Sequence, residues 1–344
     1  MRYSTLLNAL MIATTIAIPC SSQDSTAIAS SVLINPGARS IGLGGAFAAI
    51  ADDATAAFAN PAGLNQILRP EISIELRGTT SRSDFQYGLD QGASGLGFFS
   101  FVYPSRRWAL ALYSHQLASV GFAITHTDVL SREFTVRSYA AAGAYELSDH
   151  LSLGVGISYF DGNRARATGS SGFSDADWGL NAGLLWNVSA AWNIAGFYRQ
   201  GPEFETRTGF ESFSFPNKYG VGFAYRPKAG ALTIGFEWDH VGDTIDPLRN
   251  AYAVTDGGSE GHIGVEYAVL KWKPVVAFRA GLWRESGRHH EIVDELGTVE
   301  SFFAKDRSHA AFGFGLAFRR FQVDAGVDFS DRDVIGSASF VYSF

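Results

Sequence analysis

Regular alternation of apolar with small or polar residues, from Pro70 to the C-terminus, restricts the fold more than any other feature of this sequence. The segment from Ala231 to His240 is the clearest example. It reads Leu232, Thr233, Ile234, Gly235, Phe236, Glu237, Trp238, Asp239. A period of two is the repeat of a β-strand whose two faces meet different surroundings. Such segments are close to the roughly 9–11 residues of a tilted membrane-spanning strand.

Counting every alternating segment predicts about fourteen strands, an even number as in single-chain bacterial barrels. The predicted starts are Glu71, Ala93, Arg106, Glu133, His150, Asp175, Ala190, Asn217, Gly230, Ser259, Pro274, Arg307, Phe321 and Val334. Tight connections such as Pro104-Ser105 and Arg319-Arg320 alternate with long polar loops near 80–92, 117–132, 161–174, 201–216, 241–258 and 286–306. Outer-membrane barrels have short turns on the periplasmic rim and long loops on the other. The sequence therefore predicts an all-β fold, an antiparallel transmembrane β-barrel in a bacterial outer membrane.

The composition agrees with this prediction. Aromatic residues make up 14% of the 344 residues, Gly contributes 38, and the net charge is −7. A chain without basic clusters lacks the positive surface that nucleic acids need. Tryptophans near strand ends are interpreted as interfacial girdles, although any single one could equally be core. They are Trp108, Trp186, Trp192, Trp238, Trp272 and Trp283. The terminal Phe344 resembles the aromatic signal by which the insertion machinery recognises outer-membrane barrels.

The first residues read as an export signal. Arg2 precedes an apolar run, Leu6 to Pro19, that is shorter than the roughly 20 residues of a membrane helix. We expect a signal peptide over 1–22, with an end as late as 29 as the alternative. Cys20, the one cysteine, could carry a lipid, but Pro19 before it fits that recognition poorly. A mature chain without further cysteines has no internal disulfides.

Charged residues recur on the strand faces opposite the apolar ones, and against hydrocarbon each would cost several kcal/mol. They include Glu75, Arg77, Lys218, Arg226, Glu237, Asp239, Glu266, Arg279, Asp324 and Asp328. We therefore predict a wet or salt-bridged lumen. A barrel of about fourteen strands is wide enough to leak unless something fills it. Residues 30–69 are the mature segment outside the strand pattern, so we predict a lumenal hatch over 30–69 and the barrel over 70–344.

Several residues of the hatch are candidate functional positions. Gly44-Gly45 is not a phosphate cradle, because neither a preceding strand nor a following Lys-Ser/Thr is present. Asp52 and Asp53 are interpreted as lumen ion pairs or as caps of a short helix over Ala54 to Ala59, with a solvated pair as the alternative. Asn60-Pro61-Ala62 initiates a turn.

Other chemistry finds little support in the sequence. The eight histidines lack the spacing of a zinc site, and no metal or cofactor is expected. His289-His290, with Glu291, Asp294 and Glu295, is interpreted as a solvated charge run in the longest loop. No arrangement of Ser, His and a polar partner suggests catalysis, so we do not expect an enzyme.

The hatch motifs resemble the N-terminal signature of the FadL-type outer-membrane transporters, also called the OMPP1/FadL/TodX family. The motifs are Gly37-Ala38-Arg39, Gly42-x-Gly44-Gly45-Ala46-Phe47, Ala51-Asp52-Asp53-Ala54 and Asn60-Pro61-Ala62-Gly63-Leu64. The strand from Phe215 to Pro227 also looks like one from these families. The resemblance implies a fourteen-stranded barrel with a hatch and passive uptake of hydrophobic molecules such as long-chain fatty acids. It further implies that a shift of the hatch admits the ligand, which leaves sideways through the wall.

PorV-like proteins of the type IX secretion system begin similarly, and binding of exported proteins is the alternative function. The chain is shorter than typical fatty-acid transporters and its loops lack a long apolar stretch, which favours that alternative. Aromatic residues of the fourth long loop favour a ligand groove, since exposed aromatics need a cover. They are Phe204, Phe210, Phe213 and Phe215. These rings could equally pack on one another over the barrel mouth.

Overall fold

The computed structural model describes residues 35–82, 90–124, 130–165, 173–205, 212–227, 230–248 and 250–344. The expected signal peptide and Cys20 lie outside these residues. Within them, no helix has the length and apolar character needed to cross a membrane.

Fourteen antiparallel strands form a closed barrel. They are β1 (Glu71–Arg82), β2 (Asp90–Pro104), β3 (Trp108–Ile124), β4 (Leu130–Ser148), β5 (Leu151–Ala165), β6 (Phe173–Asn187), β7 (Trp192–Arg199), β10 (Lys218–Tyr225), β11 (Leu232–Val241), β14 (Gly258–Val269), β15 (Val275–Glu285), β18 (Arg307–Ala317), β19 (Phe321–Phe329) and β20 (Asp333–Ser343). The first strand closes on the last, with Glu71 opposite Ser343. The predicted fold class is confirmed, and each predicted strand start falls within the usual boundary error of about 2–4 residues.

The alternation in sequence becomes an inside and an outside. In β11, Glu237 and Asp239 are buried while Phe236 and Trp238 are exposed outward. Large apolar side chains are exposed in this way around most of the wall. An outer surface so rich in apolar side chains needs a nonaqueous surrounding to cover it.

Trp283 departs from the predicted girdle. It is buried on the lumenal side, where its indole N–H donates to Asp328 at 2.7 Å and its ring stacks between His262 and His309. The reason is its register, because Trp283 lies an even number of residues from the buried Arg279 and so shares its face. The other five predicted girdle tryptophans are exposed.

Six further strands arise in segments predicted to be polar loops. Strands β8 (Glu203–Glu205) and β9 (Ser212–Ser214) pair as a hairpin. Strands β12 (Thr244–Leu248), β13 (Ala251–Thr255), β16 (His289–Asp294) and β17 (Gly297–Phe303) form a four-stranded sheet, in that order, at the long-loop end of the barrel. The long polar loops predicted near 241–258 and 286–306 therefore contain short strands, because the two segments pair with each other.

The solvated charge run predicted around His289-His290 is wrong for these two histidines. His289 stacks on Phe303 at 4.1 Å and His290 stacks on Phe302 at 4.7 Å, within the pairing of β16 and β17. Burial, with the nearby charges of Arg288 and His289, lowers the pKa of His290. This histidine therefore packs as an aromatic ring against Phe302.

The N-terminal residues 35–67, here called the lumenal segment, lie inside the barrel. They contain helices α1 (Ala38–Gly42) and α2 (Ala56–Ala59) and a 3₁₀-helix, Pro61–Gln66. Most of their side chains are fully buried, and their apolar members form nearly half of the hydrophobic core. The core of this protein is thus built between the lumenal segment and the inner face of the wall.

Candidate functional site

The lumenal segment fits closely against the wall because the wall carries glycines at the points of contact. A Cβ placed on Gly154 of β5 would lie 2.8 Å from Ala62 Cα, and one on Gly235 of β11 would lie 2.7 Å from the Ala46 carbonyl oxygen. On the far side, Gly42 faces Gly313 of β18 with the same closeness. Strands on several sides therefore contact the segment through backbone, which leaves no room for side chains between them.

The predicted turn Asn60-Pro61-Ala62 fixes one end of the segment to the wall. Asn60 is fully buried, and its Oδ1 accepts the Ala62 N–H at 3.1 Å, as an N-cap of the 3₁₀-helix. Its Nδ2 donates to the carbonyls of Ala48 at 3.0 Å and Leu184 at 3.1 Å. Because one bond stays within the turn and another reaches β6, this side chain joins the two.

Gly44 and Gly45 make the second predicted turn, and both have positive φ angles, 62° and 82°. The Gly44 carbonyl lies 2.8 Å from His262 Nδ1 on β14. A Cβ on Gly45 would lie 3.0 Å from the same nitrogen. Both glycines are therefore required by backbone conformation, and Gly45 also by the approach of the histidine ring.

Ion pairs hold the middle of the segment. Arg39 contacts Asp52 within the segment and reaches Glu266 of β14 at 2.8 Å. Glu266 also binds Arg279 of β15, and Asp52 binds Arg226 at 2.7 Å. Acidic and basic side chains alternate along this series of ion pairs, so each charged side chain lies next to one of opposite charge.

Asp53 has a local role. Its carboxylate accepts the Thr55 N–H at 2.9 Å and the Thr55 hydroxyl, just before α2, whose N-cap position is Thr55. Burial raises the pKa of Asp53, although Arg39 at 3.6 Å opposes the shift. The structure thus places Asp52 in an ion pair and Asp53 in a turn, and the alternative of a solvated pair was wrong for both.

Other charged residues predicted to line the lumen lie outside the series of ion pairs around Arg39. Glu237 accepts the N–H groups of Phe47 at 2.9 Å and Ala48 at 2.7 Å. Asp239 pairs with Lys218 at 2.7 Å, and Glu75 pairs with Arg77 at 3.0 Å. Only Glu237 of these acids binds the backbone of the segment.

The hydrogen-bonded pairing of the barrel wall stops part of the way along β2 and β3. Their pairing runs from Pro104 opposite Ala109 to Phe98 opposite His115, and the described register ends there although both strands continue. Each strand carries an extra residue at this level. Gly97 of β2 is a bulge in the pairing with β1, and Leu117 of β3 is a bulge in the pairing with β4. Bulges of this kind end pairing and turn strands apart.

Arg137 of β4 bridges the level at which the pairing ends. It donates to the Leu96 carbonyl at 2.8 Å and to Gln116 Oε1 at 3.0 Å. On the lumenal side, Phe58 of the segment packs on His115 with ring centroids 4.4 Å apart. The inner end of the interrupted pairing is therefore covered by the lumenal segment itself.

The predicted loop aromatics lie at the long-loop end. Phe204 and Phe215 are buried, with ring centroids 6.5 Å apart, so the prediction that they are exposed was wrong. They pack on one another, which was the alternative. Phe213 lies opposite Phe204 in the β8–β9 pairing, and Phe210 lies outside the described residues. Phe204 also lies against β5, since a Cβ on Gly162 would be 2.9 Å from its ring.

Sequence reasoning missed Arg199, His115 and His262. His115 is fully buried, and neither of its ring nitrogens has a hydrogen-bond partner among the described residues. The alternation of β7 could have placed Arg199 on the inner face, because Arg199 lies two residues from Phe197, which is on that face. Their contacts with the lumenal segment had no signal in the sequence.

Comparison with known proteins identifies the fold. No family model matches the chain, and no curated protein matches its sequence. Among solved structures, the Pseudomonas putida toluene transporter TodX aligns with TM-score 0.69 at 13% identity, over 92% of this chain and 100% of that chain. The CymD monoaromatic hydrocarbon channel gives 0.68 at 15% identity, over 91% and 98%. A Pseudomonas aeruginosa FadL homologue gives 0.67 at 11%, over 94% and 100%.

The chain therefore has the fold of FadL-type channels. The resemblance predicted from the hatch motifs is supported at the level of the fold, over nearly the whole chain.

Proposed function

We propose that the chain is an outer-membrane channel for passive uptake of small hydrophobic molecules. Its apolar outer surface suits a bilayer, and its short turns would face the periplasm. Its structural neighbours include a toluene transporter and a monoaromatic hydrocarbon channel, which supports apolar solutes of about that size. Long-chain fatty acids are the larger members of the same class.

The observation that carries this proposal is the interrupted pairing of β2 and β3. A solute that reaches the lumen meets the lumenal segment, which blocks the way to the short-turn end. The free energy of an apolar solute falls when the solute leaves through the wall into the bilayer core. The decrease is about 25 cal/mol per Å² of apolar surface removed from water. We propose that the lumenal segment acts as a hatch, and that movement of Phe58 away from His115 opens the way to the wall.

Deleting both Gly97 and Leu117 should abolish uptake. Without the extra residues the pairing of β2 and β3 can continue past Phe98 and His115, and the wall closes. We expect uptake of labelled toluene by cells expressing the variant to fall to the level of cells without the protein. The control deletes Leu147, the extra residue of a bulge at the short-turn end of β4, and this variant should keep its uptake.

Uptake by the double deletion at the level of the natural chain would exclude exit between β2 and β3. A natural chain that takes up no apolar solute, yet retains exported proteins when purified in mild detergent, would instead support the PorV-like alternative.

A further inference from the structure

A charged side chain covers the outer side of the interrupted pairing between β2 and β3. Arg137 points outward from β4, because its neighbours Val136 and Ser138 are both fully buried. Its side chain extends over β3 toward β2, which lies two strand spacings or about 10 Å from β4. The guanidinium donates to the Leu96 carbonyl of β2 at 2.8 Å and to Gln116 Oε1 of β3 at 3.0 Å.

These bonds take the place of the missing pairing between β2 and β3. A backbone carbonyl at an unpaired strand edge is costly next to lipid, because no water is present there to donate to it. Arg137 supplies the donor for the carbonyl of Leu96. Gln116 reaches toward the same strand, since a Cβ on Gly95 would lie 3.8 Å from its Oε1. Side chains thus close the gap on its outer side, as the lumenal segment closes it on its inner side.

Arg137 has a second possible partner on the other side of β4. Its cross-strand neighbours are Gln116 on β3 and Asp161 on β5. Asp161 follows the buried Phe160, so its carboxylate shares the outer face with Arg137. The Cβ atoms of residues directly opposite each other are about 4.5–5.5 Å apart, and Asp161 Oδ1 accepts Asn163 Nδ2–H at 2.8 Å. The guanidinium is therefore turned toward neutral oxygens although a carboxylate lies beside it on the next strand.

Each set of partners has its own advantage. The neutral set offers more acceptors, because Ser114 Oγ also accepts from Arg137, at 3.2 Å, and it keeps the Leu96 carbonyl paired. The carboxylate of Asp161 adds a Coulomb attraction that a neutral oxygen lacks. Rotation about the side-chain bonds of Arg137 exchanges one set for the other while the backbone of β4 stays in place.

We propose that Arg137 is the gating residue of the lateral exit. It holds the exit shut through Leu96 and Gln116, and it opens the exit by turning to Asp161. The gating role rests on the proposed channel function and adds to it a barrier on the lipid side of the gap. An apolar solute that has passed Phe58 meets this barrier last, and Asp161 keeps the displaced charge paired while the solute leaves.

A double-mutant cycle on the uptake of labelled toluene into liposomes that contain the protein tests the gate. Asp161→Asn removes the charged partner of the open state. We expect the rate of uptake to fall at least about tenfold, which corresponds to about 1.4 kcal/mol in activation free energy. Asp161→Glu keeps a carboxylate and should keep the natural rate. Arg137→Met removes the gating charge, so adding Asp161→Asn to Arg137→Met should change the rate no further.

The matched control is the exposed pair of Arg284 and Asp306, whose side chains are 66% and 50% exposed. It has the same two residue types but lies away from β2 and β3. Arg284→Met and Asp306→Asn should both leave the rate of uptake at its natural value.

An equal loss of uptake from Asp161→Asn in the natural chain and in Arg137→Met would overturn the gate, because Asp161 would then act without Arg137. Unchanged uptake by Asp161→Asn would also overturn it and leave the channel function in place. A natural chain that takes up no toluene would remove the channel function, and the gate with it. Should Arg137→Met fail to form a barrel, Arg137→Lys takes its place in the cycle, and equal rates for Asp161→Asn and Asp161→Glu would again overturn the gate.

Discussion

Replacement of Arg39 by glutamine should release the lumenal segment from the wall. Arg39 joins Asp52 of the segment to Glu266 of β14, and its side chain is only 13% exposed. The change removes one cation from a largely buried site with three carboxylates, of which Asp52 keeps Arg226 and Glu266 keeps Arg279. Breaking a buried ion pair costs about 3–5 kcal/mol when the remaining charge is uncompensated, and less here, because Asp52 and Glu266 each keep a second cation.

The measurement is hydrogen exchange of the amides of residues 37–64 in detergent. We expect the free energy of their opening to fall by up to about 3 kcal/mol while exchange in the barrel strands is unchanged. Arg284→Gln is the control, since its pair with Asp306 is 66% and 50% exposed, and exposed pairs contribute about 0–1 kcal/mol. Unchanged protection of the segment in Arg39→Gln would show that its packing, and not this ion pair, holds it in place.

The second large effect is expected from Gly154→Val. A Cβ at this position would lie 2.8 Å from Ala62 Cα and closer still to the Ala62 nitrogen and the Pro61 carbonyl carbon. These are backbone atoms, which cannot move aside by changing rotamer. Forcing a side chain into such a contact costs about 3 kcal/mol or more, at the upper end for overpacked sites.

We expect Gly154→Val to displace the 3₁₀-helix from β5 and open the lumen to water. Single-channel conductance in planar bilayers should rise from near zero to steady open events. Gly261→Val on β14 is the control, because nothing lies within 4 Å of a Cβ there. A closed Gly154→Val channel that is as stable as the control would contradict the close fit described for the lumenal segment.

The barrel was predictable because its signal is local. Strand and face are both given by a period of two, so Glu237 and Asp239 could be placed inward and Trp238 outward from sequence alone. Trp283 was misplaced although the same rule covers it, because its position near a strand end was given more weight than its register with Arg279.

The other features depend on pairings between distant segments. The sheet of β12, β13, β16 and β17 joins Thr255 to His290 across 35 residues of sequence, and no local pattern gives that register. The lumenal segment was predicted as a unit because residues 30–69 lie outside the strand pattern. Its partners on the wall, among them His262 and Gly154, are strand residues that look like any others.

The bulges at Gly97 and Leu117 were also beyond sequence reasoning. An extra residue shifts the alternation by one position, which is within the uncertainty of a strand boundary read from sequence. The bulges are seen only in the pairing of β2 with β1 and of β3 with β4, which places both of them where the pairing of β2 with β3 ends.

The most direct test of the account follows the solute itself. An aromatic hydrocarbon carrying a diazirine would be photolysed during uptake into liposomes that contain the protein, and cross-linked peptides identified by mass spectrometry. Adducts are expected on Phe58 and on β2 and β3 at the interrupted pairing, around Leu96 and Gln116. Adducts near Pro70 and Phe344 at the short-turn end, with none between β2 and β3, would contradict lateral exit.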